Sequence, residues 1–359
     1  MSDKPVFFLP VETLAGPGNR WMKIINLLSK KSDFEFKLMI PKALYKAIED
    51  LKTYDSEEFM KLSPKKLILV YNYNYKILNV LEYFIKSLFL RLRGYNTIHS
   101  IMGVGFSLRL KKFLRFKINY EVVGPGFADI LSRENYIEEL DKIICVSDTV
   151  AKRVLQTKNE LVHKRIMTYP IPFYNSISKD YGDKKKEDVI VFAHNYRVKR
   201  KNAIMCAFLF NEISKIKPEW KFYFLGKGVD GYDSYKSYIN YILSDCENVI
   251  FDYYEDIYPI LDISKIFLSL NSINNYPSQS ILESMHCKNA LVVTNTGQSA
   301  QFIRNNGVLV DTDYNSVKTA ILTLMDDDQL FDKCQNSKKL LESRFAPSIF
   351  INSLVDLYS

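Results

Sequence analysis

The sequence predicts an α/β fold of two domains, each a doubly wound parallel sheet with helices on both faces. Three observations predict it. Short apolar runs of strand length alternate with amphipathic helical runs, the order that builds a parallel sheet through crossover helices. The 359 residues exceed what one ordinary core organises and suit two domains. Between two blocks of alternation lies Tyr169-Pro170-Ile171-Pro172, then a polar run rich in Lys and Asp from Asn175 to Lys186, the composition of a linker. A first domain is expected over residues 1–175, a linker over 176–186 and a second domain over 187–344.

The elements follow in order. Val6 to Pro10 reads as the first strand. Gly16-Pro17-Gly18-Asn19 reads as a tight loop before a helix, Arg20 to Lys31, with Trp21, Ile24, Ile25 and Leu28 on one side. Gly16 and Gly18 would let backbone approach a ligand. The loop lacks the G-x-G-x-x-G spacing of a dinucleotide fingerprint, so a plain strand-to-helix turn is the alternative. Phe36 to Ile40, Leu67 to Tyr71 and Thr97 to Ile101 are further strands; His99 lies on the last, and both a structural role and a substrate contact are open to it. Ile118 to Val123 leads into Gly124-Pro125-Gly126. Carboxyl ends of strands border the ligand crevice of open α/β sheets, which makes Gly124 and Gly126 crevice candidates.

Val189 to Ala193 opens the second sheet. The loop after it, His194 to Asn202, carries Arg197, Lys199, Arg200 and Lys201 and precedes an apolar helix, Ala203 to Ile213. Phe222 to Leu225 ends in Gly226-Lys227-Gly228, and Val249 to Phe251 in Asp252-Tyr253-Tyr254. A dense run then reads as strand (Phe267 to Leu270), polar turn (Asn271 to Ser278), short helix (Gln279 to His286), strand (Ala290 to Thr294), helix (Gln298 to Arg304) and strand (Val308 to Val310). Helices at Val317 to Met325, Gln329 to Ser343 and Phe345 to Tyr358 close the chain.

The short helix carries the chemistry. Pro277 and Ser278 are start signals, a fixed φ and an N-cap oxygen. Ile281, Leu282 and Met285 give the helix one apolar face, and Glu283 falls off it. The free amides and positive dipole end at Ser278, Gln279 and Ser280 suit a phosphate. A carboxylate one turn away is poorly placed for the anion and well placed to accept hydrogen bonds from sugar hydroxyls. Together they point to a nucleotide with a ribose.

Asn275-Tyr276-Pro277-Ser278-Gln279-Ser280-Ile281-Leu282-Glu283-Ser284-Met285, with Val292-Val293-Thr294-Asn295 and Gly307-Val308-Leu309-Val310 after it, resembles the donor-binding segment of GT-B retaining glycosyltransferases. It is most similar to the large group 1 family that builds polysaccharides and glycolipids. The resemblance implies two Rossmann-like domains facing across a cleft, the acceptor on the first and the donor on the second, with residues 345–359 returning to brace the first. In that family two glutamates stand eight positions apart. The second binds the ribose and maps onto Glu283; the first contacts the transferred sugar and maps onto Asn275, an uncharged amide here. The family's arginine and lysine on the donor diphosphate map onto Arg197 or Arg200, and onto Lys201. These cations would meet the charge developing on the leaving nucleoside diphosphate; a solvated basic turn is the alternative.

By the same resemblance Gly16 and Gly18 border the donor, Tyr253 stacks on the nucleobase, and His99 lies on the acceptor side; from their glycine turns at carboxyl ends of strands, Gly226 is a donor-side candidate and Gly124 and Gly126 are acceptor-side candidates. The family's histidine in that last loop is missing here. Lys142 to Val146 with Ser147-Asp148 resembles the family's last strand and capped helix of the first domain. The implied reaction moves a hexose-type sugar from a UDP- or GDP-sugar to a hydroxyl of a glycan or lipid-linked acceptor. It proceeds with retention, without a metal, and with no cofactor beyond the nucleotide-sugar. Two other readings use the same fold. A non-catalytic partner subunit is suggested by Asn275, and a nucleotide-sugar 2-epimerase would need acid/base groups in the cleft that the sequence does not offer.

Composition narrows the setting. With 47% hydrophobic and 25% charged residues the chain reads as soluble and globular. Five cysteines, odd in number and far apart, read as buried thiols in a reducing compartment. Val6 to Val11 is too short for a secretory signal, and no uncharged run reaches the ~18–20 residues of a membrane span. Asp311-Thr312-Asp313 imitates a metal-binding D-x-D but precedes a helix, so capping is expected, and Asp326-Asp327-Asp328 reads as an acidic helix start. The net charge of +8 is local: residues 76–117 hold nine Lys or Arg and one acidic residue, Glu82. Two amphipathic helices are expected there, with Leu81, Ile85, Leu88 and Leu92 on one, and Phe106, Leu110, Phe113 and Leu114 opposite Lys111, Lys112 and Arg115 on the other. That pattern suits anionic headgroups, giving a cytoplasmic protein peripheral to the inner face of the plasma membrane. No base-reading motif accompanies the charge, so nucleic acid is not an expected partner.

Overall fold

A computed structural model describes the chain apart from residues 1–2, 11–15, 72–75, 102–103, 125–135, 157–164, 170, 175–180, 196–198, 228–232, 253–255, 275 and 277. It divides into two compact units, Met1–Asn175 with Pro347–Ser359, and Ser176–Ala346.

The first unit holds seven strands: β1 (Pro5–Phe8), β2 (Lys37–Pro41), β3 (Leu67–Val70), β4 (Thr97–Ser100), β5 (Lys117–Val122), β6 (Lys142–Cys145) and β7 (Ile166–Thr168). Their order is 3-2-1-4-5-6-7, and every pair is parallel. The strand order reverses direction between β1 and β4, the topological switch point of a doubly wound sheet. The helices are α1 (Gly16–Ser29), α2 (Lys42–Glu49), α3 (Tyr54–Met60), α4 (Lys76–Leu92), α5 (Val104–Leu114) and α6 (Asp148–Leu155). Trp21, Ile24, Ile25 and Leu28 on α1 are buried, the face the sequence indicates. α1 begins at Gly16 and not at Arg20, so the expected Gly16–Asn19 loop is helix. Proline is tolerated in a first turn, where amides lack helical acceptors anyway.

A last helix, α13 (Pro347–Asp356), also belongs to this unit. Its Phe350 ring packs on Tyr169 and Phe173 at 4.7 and 5.2 Å, and the Tyr358 carbonyl accepts the Asp3 amide at 2.8 Å. Under α1 and α13 lies a buried polar knot. Arg20 pairs with Glu121, which also accepts the Trp21 indole N–H at 3.3 Å and the Tyr169 hydroxyl at 2.9 Å. Burial would raise the Glu121 carboxyl, but the Arg20 guanidinium, His99 and the Tyr169 hydroxyl together outweigh burial and hold the group at about 2.

The second unit holds β8 (Glu187–Asn195), β9 (Lys221–Lys227), β10 (Val249–Asp252), β11 (Ser264–Ser269), β12 (Ala290–Thr294) and β13 (Gly307–Val310). The order is 10-9-8-11-12-13, again all parallel, with the switch point between β8 and β11. Its helices are α7 (Ala203–Ile216), α8 (Asp233–Leu243), α9 (Tyr258–Ile263), α10 (Gln279–His286), α11 (Tyr314–Met325) and α12 (Leu330–Arg344). Phe192, Phe210, Phe222, Leu268, Val292 and Ile321 are among the residues of one core; a sheet covered on both faces needs such continuous apolar strands. The helix expected at Gln298 to Arg304 is a single 3-10 turn, Ser299–Phe302.

Ser147 and Asp313 cap α6 and α11, accepting the Val150 and Ser316 amides, so the D-x-D imitation resolves to a cap. All five cysteines are buried and free. No described helix is long and apolar enough to cross a membrane.

Candidate functional site

Adjacent strands whose connections leave in opposite directions open a crevice at their carboxyl ends. In the second unit those strands are β8 and β11, and the loops after them carry the residues singled out by sequence. After β8, Lys199–Lys201 forms a single 3-10 turn. Asn202 then takes a left-handed φ of 57°, which asparagine tolerates better than most residues, and α7 begins. After β11, the Ser272 amide donates to the Arg200 carbonyl at 2.7 Å, and the Ser272 hydroxyl to the same oxygen at 3.2 Å. The two loops are thus tied by backbone, which fixes Lys201 relative to the segment entering α10.

Lys201 is half-buried, while Arg200 is exposed. Burial, with the neighbouring Arg200 charge second, pushes the Lys201 ammonium down to about 8. Among the described residues no carboxylate or other acceptor pairs with it. A cation partly stripped of water and given no counter-charge is suited to receive an anion.

The second loop is held from below. Thr294, at the end of β12, donates to the Ser269 and Asn271 carbonyls at 3.3 and 2.7 Å. Asn271 donates to the Ser269 hydroxyl at 2.9 Å, and its own side-chain oxygen is buried without a partner among the described residues. Gly297 has φ of 58°, and a Cβ there would stand 2.2 Å from the Asn274 side chain; the loop after β12 presses this close against Asn274. The Tyr276 ring packs on Phe302 at 5.6 Å, and its hydroxyl donates to Gln301 at 3.3 Å.

α10 then turns Ile281, Leu282 and Met285 into the core and leaves Glu283 half-buried beside it. Ser278 stands at the N-cap position but makes no side-chain cap; its hydroxyl pairs with that of Ser280 at 3.2 Å. The expected capping bond is therefore corrected. Gln279 and Ser280 open the helix with first-turn amides that Ser278 does not serve, an arrangement suited to an anionic ligand.

The other candidates scatter. Arg197, Asn275, Tyr253 and Gly126 lie outside the described residues. Gly226 is buried inside β9, paired with His194, and the strand runs on to Lys227, so it belongs to the strand rather than to a turn. Gly16 and Gly18 lie in the first turn of α1. Gly124 follows β5, and a Cβ there would meet nothing within 4 Å, so space is open beside it. His99 is corrected from acceptor contact to interior residue. It is 0% exposed, its Nδ1 bonds the Tyr358 hydroxyl, and it is ringed by Phe7 and Trp21. Burial lowers its pKa. Lys111 is not a free cation: it donates to the Glu139 carbonyl at 2.7 Å and to Asp141 at 2.8 Å. Lys112 and Arg115 are exposed.

Among the described residues no three His, Cys, Asp or Glu side chains cluster as metal ligands would. A hollow lined by Arg304, Asn305, Lys333 and Lys339 reaches Gly307 at the amino end of β13, opposite the end where such sheets bind ligands.

Three comparisons place this architecture. The family described as glycosyl transferases group 1 matches residues 187–327, within the second unit. Among solved structures, the Anabaena protein HepE in complex with UDP and glucose aligns with TM-score 0.70 and 12% identity over 99% of both chains. A glycosyltransferase from Rickettsia africae aligns with TM-score 0.69 and 12% identity over 99% of this chain and 98% of the other. The pneumococcal O-GlcNAc transferase GtfA, in complex with UDP and GlcNAc, aligns with TM-score 0.69 and 11% identity over the same shares. No curated protein matches the sequence. The fold is that of the GT-B glycosyltransferases.

Proposed function

We propose that this protein transfers a hexose-type sugar from a UDP- or GDP-sugar to a hydroxyl of a glycan or lipid-linked acceptor in surface polysaccharide or glycolipid synthesis. The observation that carries the reading is Lys201, a poorly hydrated ammonium without a counter-charge among the described residues, tied through Ser272 and Arg200 to the segment that leads into α10. That three similar folds include one holding UDP and glucose and another holding UDP and GlcNAc supports the choice of donor class.

In this reading the first turn of α10 and Lys201, with Arg200 or Arg197, hold the diphosphate. Glu283 accepts the ribose hydroxyls and Asn275 hydrogen-bonds the sugar. The bond from the anomeric carbon to the phosphate oxygen breaks as the acceptor oxygen bonds to that carbon on the same face. The acceptor proton passes to the leaving phosphate, and attack on the face that the phosphate leaves gives retention. Lys201 stabilises the charge growing on that phosphate without a metal.

Asn275 in place of the family's glutamate favours a second reading, a non-catalytic partner that binds nucleotide-sugar and does not turn it over. Incubating the protein with UDP-glucose, UDP-GlcNAc and GDP-mannose separates the two. Slow release of free nucleoside diphosphate supports the transferase. Stabilisation by these ligands without release establishes the binder, and neither effect with any donor refutes both readings.

A further inference from the structure

We propose that α4 docks this protein on an anionic membrane surface, lying in the headgroup plane with its outer stripe in the lipid. Half of the large apolar side chains exposed among the described residues sit on α4 and at one point of α5. Ile77 (81% exposed), Leu81 (51%), Ile85 (55%), Leu88 (40%) and Leu92 (77%) recur at helical spacing on one side of α4. Phe89 and the α5 residue Phe113 extend the patch, and Phe113 meets Phe84 at 6.2 Å.

The opposite side of α4 already serves the core. Tyr83 packs on Phe8 at 5.4 Å, Ser87 and Leu90 are buried, and Lys86 donates to the Leu69 carbonyl. A surface helix that packs one face normally turns polar residues outward. This one is apolar on both sides, and a continuous exposed apolar stripe of this kind marks a contact surface.

Charge names the occupant. Residues 76–117 carry nine basic residues and one acidic. That one, Glu82, is taken by Lys86 and by the Tyr71 amide. Arg93, beside the Phe89 ring at 4.1 Å, and Arg109, Lys112 and Arg115 are exposed around the patch. A cationic rim without a free carboxylate complements lipid phosphates, whereas a second copy would oppose like charges. At 17 residues the helix is about 25 Å long, with Lys86 and Arg91 within it, which fits lying in an interface and not crossing it. Leu108 and Leu110 of α5 are buried and Lys111 is tied to Asp141. The contact therefore falls on α4, with α5 adding only its tip. The inference does not rest on the donor chemistry and stands or falls separately from it.

Flotation of the full chain with phosphatidylcholine vesicles, with and without phosphatidylglycerol, tests it. The protein should float with the anionic vesicles, far less with neutral ones, and release as salt rises. Ile85→Glu/Leu88→Glu, at exposed positions, should lower partitioning at least tenfold while UDP binding matches the parent. Arg93→Glu/Lys112→Glu should weaken only the anionic dependence. In Ile85→Trp, the added emission should shift to the blue on anionic vesicles. A parent that stays soluble with anionic vesicles at low salt overturns the proposal, as does a Glu variant that floats like the parent. A parent dimer that Ile85→Glu/Leu88→Glu dissociates also overturns it, because a second copy then covers the stripe.

Discussion

Replacing Lys201 by methionine should stabilise the protein and cripple nucleotide binding together. The stem is kept and the ammonium removed. Its fall from an ordinary 10.5 to about 8 on burial means the charged form is disfavoured in the folded state by about 3 kcal/mol, at ~1.4 kcal/mol per tenfold. A depressed lysine binds fewer protons folded than unfolded between those two values, so stability rises with pH across that window. The full cost is present at pH 7. Lys201→Met should therefore raise the melting temperature at pH 7, by up to about 5–10 °C for a unit of this size, with the advantage shrinking toward pH 10.5.

The same variant should bind UDP roughly tenfold to a hundredfold more weakly, the worth of a charge-assisted hydrogen bond of about 1.5–3 kcal/mol. Calorimetry from pH 7 to 9.5 reads the signature. Parent affinity should hold up to about 8 and then fall, at most tenfold per pH step, as the free protein loses the proton the phosphate needs. The Met variant should be weak and flat throughout. A parent affinity that is flat across this range, or a Met variant that melts earlier at pH 7, would refute the reasoning, since the ammonium would then have a counter-charge of its own.

Further outcomes follow from other residues. Glu283→Ala should weaken UDP by roughly tenfold or more, the loss of a charged acceptor for the ribose; unchanged affinity in calorimetry would take Glu283 out of the site. Asn275→Ala should weaken UDP-glucose and spare UDP, and equal loss for both would mean that Asn275 does not read the sugar. Gly297→Ala should destabilise by about 1–3 kcal/mol, because its Cβ would meet Asn274 at 2.2 Å in a left-handed backbone; a melting curve like the parent's would show that the loop yields freely. Glu121→Ala should cost about 3–5 kcal/mol by stranding Arg20. The parent's stability should decline as pH drops from 4.5 toward about 2, where the depressed carboxylate finally takes its proton. A chemical-denaturation series showing the same acid limb in the variant would shift that decline to other groups.

The sheets were readable because strands covered on both faces must be continuously apolar, and Val189 to Ala193 or Ala290 to Thr294 cannot be much else. β7, three residues with half-exposed side chains, carries no such signal. Gly16-Pro17-Gly18 reads as a turn because glycine and proline break helices in the interior, yet in a first turn neither costs much. Gln298 to Arg304 has helical spacing, but the Ser299 hydroxyl bonds the Thr294 carbonyl at 2.7 Å and accepts the Thr296 amide at 2.9 Å. Those local bonds compete with the helix and leave only a short turn. In the site, α10 and Glu283 could be placed because their signals are local. The Ser272 bond to Arg200, the Asn271 oxygen left unpaired among the described residues and the Arg20–Glu121 pair could not. Each requires strands far apart in sequence to lie side by side. Periodicity likewise finds the stripe on α4 but does not say that the stripe faces away from the sheet.

Why the second sheet and not the first should hold the anion follows from how each disposes of its charge. Both units use the same order of six strands outward from one switch point, so topology alone offers two equivalent places. In the first, Arg20 of α1 and the ionisable groups on the carboxyl halves of β4 and β5 are spent on one another, and Lys23 of α1 pairs with Asp55. Arg20 is neutralised by Glu121, which also satisfies Trp21 and Tyr169, and His99 is buried against Tyr358. Binding a diphosphate there would mean breaking a pair whose separation leaves a buried charge. In the second, Lys201 has paid its desolvation and found no partner among the described residues, and Ser278 leaves the first-turn amides of α10 without a side-chain cap. A ligand bringing negative charge to that point relieves an existing cost and need displace no ion pair. On energetic grounds, the fold's internal asymmetry of charge, and not its shape, favours the second unit for the donor site we propose.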